Sequence, residues 1–248
     1  MAAPTIDILA IGAHPDDVEM TSGGYLALAG KQGKRTAILH LTCGEMGTRG
    51  TSAERKKEAE AAGSALGAVE VRFAGLQDGH VWCNEEQVAV VVRVLRELRP
   101  ALVIAPWTTC HHPDHEEAAK IVIRACHFAG KTKYNDGSKD KPHNVAGLIH
   151  ARYSSYFEPS FYVDVSPVIV QKRKAIECYA SQFKPKAGEP ETRLSNPSFL
   201  DQLLARGHSM GLSTGVEHAE AYRSAGALVL RDPHALFLDQ ASLPRMTR

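Results

Sequence analysis

The sequence predicts an α/β fold: a Rossmann-like, mostly parallel twisted sheet with helices on both faces and a metal site at the carboxyl ends of the strands. Three observations lead there. Short apolar runs alternate with longer helical stretches along the chain, as in parallel strands joined by right-handed crossovers. Two of those runs, Ile6 to Ile11 and Leu102 to Trp107, are apolar enough to be buried strands. Both empty into turns crowded with histidine and aspartate, and in an open α/β sheet the carboxyl ends of the strands share the rim where ligands bind.

Taken in order, Ile6 to Ile11 is the first strand and Gly12 bounds it. Gly23-Gly24 opens a small-residue helical stretch to about Gln32, and Thr36 to Leu41 is the second strand. The loop Thr42 to Gly50 carries three glycines, which suits a backbone that turns sharply or approaches a ligand. Ala53 to Leu66 is rich in the helix formers Ala, Glu and Lys, with Ser52 as an ordinary cap and Gly67 as the stop. A short strand, Val69 to Phe73, precedes the loop Gly75 to Cys83, where Asp78-Gly79-His80 reads as a turn.

Apolar residues recur at helical spacing from Glu85 to Leu98, and Pro100 ends that helix. After the second histidine cluster, His115 to Phe128 is helical, with Ala118, Ile121, Val122 and Ala125 on one face. The polar segment Gly130 to Asn144 reads as a solvated loop, with a lid over the site as the alternative. Val145 to Phe157 and Phe161 to Val165 are two further strands, and Val168 to Tyr179 is a helix. A Pro- and Gly-rich connection, Lys184 to Pro197, leads to a last helix, Phe199 to Met210, and the apolar run Ala227 to Leu230 suits an edge strand or a partner contact.

At 248 residues the chain is read as one domain, 1–248, with a large core. A net charge of +1, with no charge block, argues against nucleic acid as a partner. No apolar stretch reaches membrane-spanning length and the first residues lack a signal-peptide pattern, so the expected setting is the cytoplasm, away from membranes. Five scattered cysteines without a Cys-x-x-Cys pair fit reduced thiols.

The first cluster places one imidazole and three carboxylates within His14 to Glu19. Adjacent carboxylates repel and are costly to desolvate, so a bound cation is their natural stabiliser. His14 and Asp17 alone make an underspecified site. The second cluster, His111-His112-Pro113-Asp114-His115, supplies the missing ligand, and two histidines plus one aspartate with open positions is the donor set of a catalytic zinc.

With both clusters in view, the chain resembles the PIG-L/LmbE family of zinc-dependent N-acetylglucosaminyl deacetylases. The signatures that carry the resemblance are Ala13-His14-Pro15-Asp16-Asp17 and His112-Pro113-Asp114-His115. Similarity continues through Gly44-Glu45, Arg55-Lys56, Glu58-Ala59, Tyr179 to Phe183 and Ala219 to Tyr222. Within the family the chain is most similar to deacetylases of bacillithiol biosynthesis, which act on N-acetylglucosaminyl malate. The resemblance implies His14, Asp17 and His115 as zinc ligands, Asp16 as general base and His112 as oxyanion stabiliser. Asp114 is expected to hold His112 protonated.

An amide is a poor electrophile, so hydrolysis near neutral pH needs both an activated nucleophile and a polarised carbonyl, and one zinc supplies both. Iron(II) fits the same ligands. Glu19, Arg49 and Arg55 are candidate substrate contacts, the arginines as clamps for the carboxylates of malate. Close relatives carry arginine where this chain has His111, and some carry tyrosine where it has Cys110. The resemblance also implies a trimer or hexamer and a small amino-sugar conjugate as substrate. Its aglycone is malate on this reading, with inositol, an oligosaccharide or a glycopeptide as alternatives. A non-haem iron enzyme using the same triad would call for a fold of many short strands, which this pattern lacks.

Overall fold

Four parallel strands form the centre of the molecule: β1 (Ile6–Gly12), β2 (Thr36–His40), β3 (Glu70–Phe73) and β4 (Pro100–Pro106). The structure is a computed structural model that describes residues 5–232. Beyond β4 the sheet continues through β5 (Gly147–Ala151), which is parallel to β4, and two antiparallel strands, β6 (Phe161–Asp164) and β7 (Ala219–Ser224). The strand order is β3-β2-β1-β4-β5-β7-β6. The chain thus steps outward from β1 to β3, then returns to the other side of β1 with β4. That reversal is a topological switch point, and the crevice outside the carboxyl ends of β1 and β4 is where such sheets bind ligands.

The apolar runs are continuous because both faces of the sheet are covered. Leu9, Ile11, Leu39 and Val103 pack toward α3 (Glu85–Leu98) and α4 (Pro113–Ala129), while Ile8, Ala10, Ile38 and Ile104 belong to the core under the other helical layer. That layer is α1 (Asp17–Lys31), α2 (Ser52–Leu66) and α5 (Ile169–Glu177), which pack on one another. A short helix, α6 (Ala180–Phe183), and the longer α7 (Phe199–Thr214) follow. Among the described residues no helix is long and apolar enough to cross a membrane.

Several boundaries differ from the sequence reading. Helix α1 begins at Asp17 rather than Gly23, so the first motif is the start of the helix and places Asp17 and Glu19 in its first turn, where the helix dipole favours negative charge. Its glycines permit close approach: a Cβ on Gly24 would lie 2.7 Å from Val165 and from the Glu220 carboxylate. The cap of α2 is Thr51, not Ser52, and it forms a full capping box with Glu54.

Strand β5 stops at Ala151, so the expected run to Phe157 is cut short and the chain turns away at Arg152 and Tyr153. The sequence pattern does not predict β7, because its buried positions include the charged Glu220. Residues 227–230 form no strand and are exposed. The segment 130–144 is not a lid. Its Asp136 is buried in an ion pair with Arg96 (3.2 Å), and His143 Nε2 lies 2.7 Å from the carbonyl of Pro100, at the end of β4 opposite the crevice.

Candidate active site

The turn after β1 is held open by buried contacts. His40, on β2, places its Nδ1 3.1 Å from the His14 carbonyl, and Thr42 donates to the Ala13 carbonyl at 3.0 Å. Asp16 then adopts φ 97°, ψ −26°, a left-handed conformation unfavourable for a residue with a Cβ, of the kind that concentrates at functional sites. The Arg55 guanidinium fastens the turn by donating to the carbonyls of Pro15 (2.6 Å) and Gly44 (2.9 Å) and to Asp16 Oδ2 (3.3 Å). Gly44 must be glycine: its φ is 68° and a Cβ there would overlap the Arg55 guanidinium.

Across the crevice, α4 begins at Pro113 and carries the second cluster. The two clusters meet at Asp17. Its Oδ2 lies 3.4 Å from His14 Nδ1 and its Oδ1 3.2 Å from His115 Nε2. The far nitrogen of each imidazole is engaged elsewhere. His14 Nε2 faces Asp78 Oδ1 at 3.0 Å and Asp114 Oδ2 at 3.3 Å, while His115 Nδ1 faces Cys110 Sγ at 3.2 Å. Histidines that ligate a metal are oriented in this way, by a partner on the nitrogen that does not ligate.

The electrostatics point the same way. Burial disfavours a charged His14, but the carboxylates of Asp114, Asp17 and Asp78 override it and hold the imidazole well above its ordinary pKa. His115 is likewise opposed by burial and raised by Asp17 to about 9. Asp17, despite its burial, is held well below the carboxylate range by the two histidines. The pocket therefore demands positive charge, which a divalent cation supplies in place of two protons. Two groups have their donor atoms within 4.8 Å of one another: His14, His112 and His115, and His14, Asp78 and Asp114.

Neither Asp16 nor Asp17 belongs to either group; Asp17 contacts His14 and His115, and Asp16 stands beside it. Burial raises its carboxyl to about 7 against the lowering effect of Arg55. The His112 ring stacks on His115 at 4.6 Å, and its Nδ1 is buried without a partner. Burial, with the charges on His14 and His115, lowers its pKa. The Asp114 charge opposes that lowering, while Asp114 Oδ2 faces His14 and accepts from the Gly79 amide at 2.8 Å.

These groups open onto a cavity of about 750 Å³. Of the three residues expected to touch substrate, only Arg55 lines it, and that guanidinium is occupied with Asp16 and two carbonyls. Glu19 is fully buried below the cavity, with His40 Nε2 3.8 Å away. Arg49 spends its donors on the carbonyls of Ser181, Gln182 and Pro190 and on the Thr192 hydroxyl, pinning the connection that precedes α7.

The sequence reading passes over Asp78, as a turn residue, and Tyr153, hidden in an overlong strand. The Tyr153 ring lies edge-on 4.8 Å from His115, and burial beside Asp17 keeps its hydroxyl protonated. His111 lines the opening, and Cys110, whose thiol is raised by burial but brought down to about 7 by His115 and Ser154, sits behind His115.

The family described as PIG-L, GlcNAc-PI de-N-acetylase, matches residues 9–126. The crystal structure of the conserved protein TT1542 from Thermus thermophilus is 35% identical, covers 92% of this chain and 98% of its own, and superposes with a TM-score of 0.83. The PIG-L match covers a little under half of the chain. Among curated relatives, a diacetylchitobiose deacetylase of Thermococcus kodakarensis is 29% identical over 71% of this chain and 70% of its own length. An inositol-linked glucosaminide deacetylase of Rhodococcus jostii is 29% identical over 81% and 89%. A probable N-acetyl-α-D-glucosaminyl L-malate deacetylase of Bacillus cereus is 25% identical over 76% and 89%. The chain spans between 54% and 62% of the length of three other curated relatives.

Proposed function

We propose that this chain is a metal-dependent hydrolase that removes the N-acetyl group from an N-acetylglucosaminyl conjugate, with N-acetylglucosaminyl malate as its first substrate. The observation that carries the reading is Asp17, whose two oxygens face one nitrogen of His14 and one of His115 at the mouth of the cavity, with Asp16 alongside. His14, Asp17 and His115 hold the ion, which we take to be zinc, with iron(II) as the competitor in a reducing cytoplasm. When bound, the ion supplies Lewis acidity that polarises the amide carbonyl and makes water acidic enough to attack near neutral pH.

The chain's own groups do the rest. Asp16 sits outside the ligand set, and its adjacent position directs its carboxylate away from that of Asp17. It accepts the proton of the attacking water and delivers it to the departing amine. Arg55 fixes where that carboxylate points. His112 donates an N–H to the carbonyl oxygen as negative charge develops there, and a neutral imidazole suffices for this task. Asp78 and Asp114 orient His14, and Cys110 orients His115. Asp114 thus acts through a ligand histidine.

The test is release of free amine from N-acetylglucosaminyl malate by metal-loaded wild type and Asp16→Asn, with bound metal quantified in both. The expected outcome is turnover by the wild type and at least a roughly hundredfold lower rate in a variant that keeps its metal. If both hold metal and neither releases amine, malate is the wrong aglycone, and chitobiose and inositol conjugates follow. A variant as fast as wild type removes Asp16 from the mechanism.

A further inference from the structure

We propose that Arg193 and Arg206, backed by Arg152, form a subsite for a carboxylate carried by the aglycone of the substrate. The inference rests on the deacetylase reading and adds to it the charge of the group beyond the sugar. The three arginines come from separate segments: Arg152 just after β5, Arg193 in the connection before α7, and Arg206 on α7. Arg193 and Arg206 line the same cavity as the histidines. Arg206 Nη1 donates to the Tyr153 carbonyl at 2.7 Å, and the ring of that tyrosine is the one set against His115. One residue therefore ties the cationic wall to the proposed metal ligands, so a single conjugate can engage both.

These charges lack a carboxylate partner; the Arg152 guanidinium lies over the Tyr156 ring, 5.2 Å from its centroid. Among the described residues no carboxylate lies within ion-pair distance of any of the three. The acid that acts on Arg206, Glu220, is already saturated. It accepts from Lys172 at 2.5 Å, from the amides of Gly24 and Tyr25 at 2.8 Å, and from the Tyr222 hydroxyl at 2.8 Å. Burial, together with Arg152 and Arg193, pulls Arg206 down to about 10, which still leaves it charged near neutral pH. Arg152 Nε is buried with no hydrogen-bond acceptor. Arg206 is half-buried beside two further cations, and an anion placed between them would offset that cost.

The geometry also selects the kind of anion. The Arg193 guanidinium stacks over the Phe199 ring, 5.6 Å from its centroid. Stacking uses the face of the group and leaves its edge N–H fork free, the arrangement that pairs bidentately with a planar carboxylate. A neutral aglycone would leave the two guanidiniums that line the cavity without a carboxylate. Arg49 and Arg55, the arginines that sequence reasoning favours for this task, are occupied elsewhere.

The experiment compares N-acetylglucosaminyl malate with its neutral dimethyl ester on the metal-loaded full chain, as wild type, Arg206→Gln and Arg193→Gln. We expect the wild type to favour the acid over the ester in kcat/KM, and each variant to lose at least roughly tenfold of that preference through KM. Arg193 is exposed, so its variant tests the inference if Arg206→Gln misfolds. A wild type without preference, or a preference intact in both variants, overturns the subsite.

If no conjugate is deacetylated, the hydrolase reading fails on its own, and L-malate binding measured by calorimetry decides the subsite. Binding weakened at least roughly tenfold in Arg193→Gln supports it. Unchanged or undetectable binding overturns it.

Discussion

The wall of the cavity that holds histidines and aspartates hangs from β1 and β4, two buried central strands paired in register, whereas the wall that holds the arginines hangs from loops and from α7. The first is short-range and over-determined. Two tight turns are fastened by His40, Thr42 and Arg55, and both imidazoles of the proposed ligand set have a partner on the other nitrogen. The second is assembled from segments far apart in sequence, joined by Arg49 and by the Arg206 contact to Tyr153. The proposed chemistry, which needs fixed geometry, would sit on the more constrained wall, and the proposed recognition of the aglycone on the other.

Substitutions should separate the walls by their readout. The largest effect is expected for His115→Ala: metal content measured by emission spectroscopy falls toward zero and turnover falls with it. A variant that retains full metal would break the comparison, by moving the ligand role to His112, whose nitrogen belongs to the same cluster. Next comes Asp78→Asn, which acts on the metal through His14. Its metal affinity in a chelator competition should drop about ten- to a hundredfold, and unchanged affinity would leave Asp78 with a purely structural role.

Arg49→Ala should behave in the opposite manner. It removes several hydrogen bonds from a buried cation to backbone carbonyls and should lower the free energy of unfolding in denaturant by roughly 1.5–3 kcal/mol, while metal content holds. Loss of metal in that variant would mean that the two walls are not separable.

The last prediction concerns Glu19. Burial raises its carboxyl from 4.5 to about 8, so the folded state keeps a proton that the unfolded state releases. Stability should therefore fall as pH rises from about 5 to 8. Glu19→Gln, neutral throughout, should flatten that stretch of a plot of melting temperature against pH. An equally steep plot would show that Glu19 is ionised inside the fold.

The contrast between the walls also explains what the sequence made legible. Strands that are apolar on both faces announce themselves, and the crowding of His14, Asp16, Asp17 and His115, which the fold brings to one crevice, is visible because adjacent buried carboxylates call for a positive partner. Asp78 was hidden because Asp-Gly is ordinary turn chemistry; its carboxylate reaches His14 only once β3 and β4 are in place. Arg49 and Arg55 looked like substrate clamps because each is a lone cation near a glycine-rich loop, and only the fold shows that carbonyls consume them. Arg193 and Arg206 gave no signal, since a solvated arginine and one facing a cavity look alike in a sequence. Strand β7 escaped notice because Glu220 breaks its apolar pattern, yet that carboxylate is fully engaged: it accepts two amides of α1, a tyrosine hydroxyl and a lysine.

Strand β7 enters the sheet between β5 and β6 although it comes after both in the chain. During synthesis, β1 to β4 with α1 to α4 emerge first, and with them His14, Asp16, Asp17, Asp78, Asp114 and His115. The outer part of the sheet then waits, with the edge of β5 open, until residues 219–224 leave the ribosome and close the gap. The residues of the proposed metal site thus leave the ribosome before Arg152, Arg193 and Arg206, the residues of the proposed carboxylate subsite.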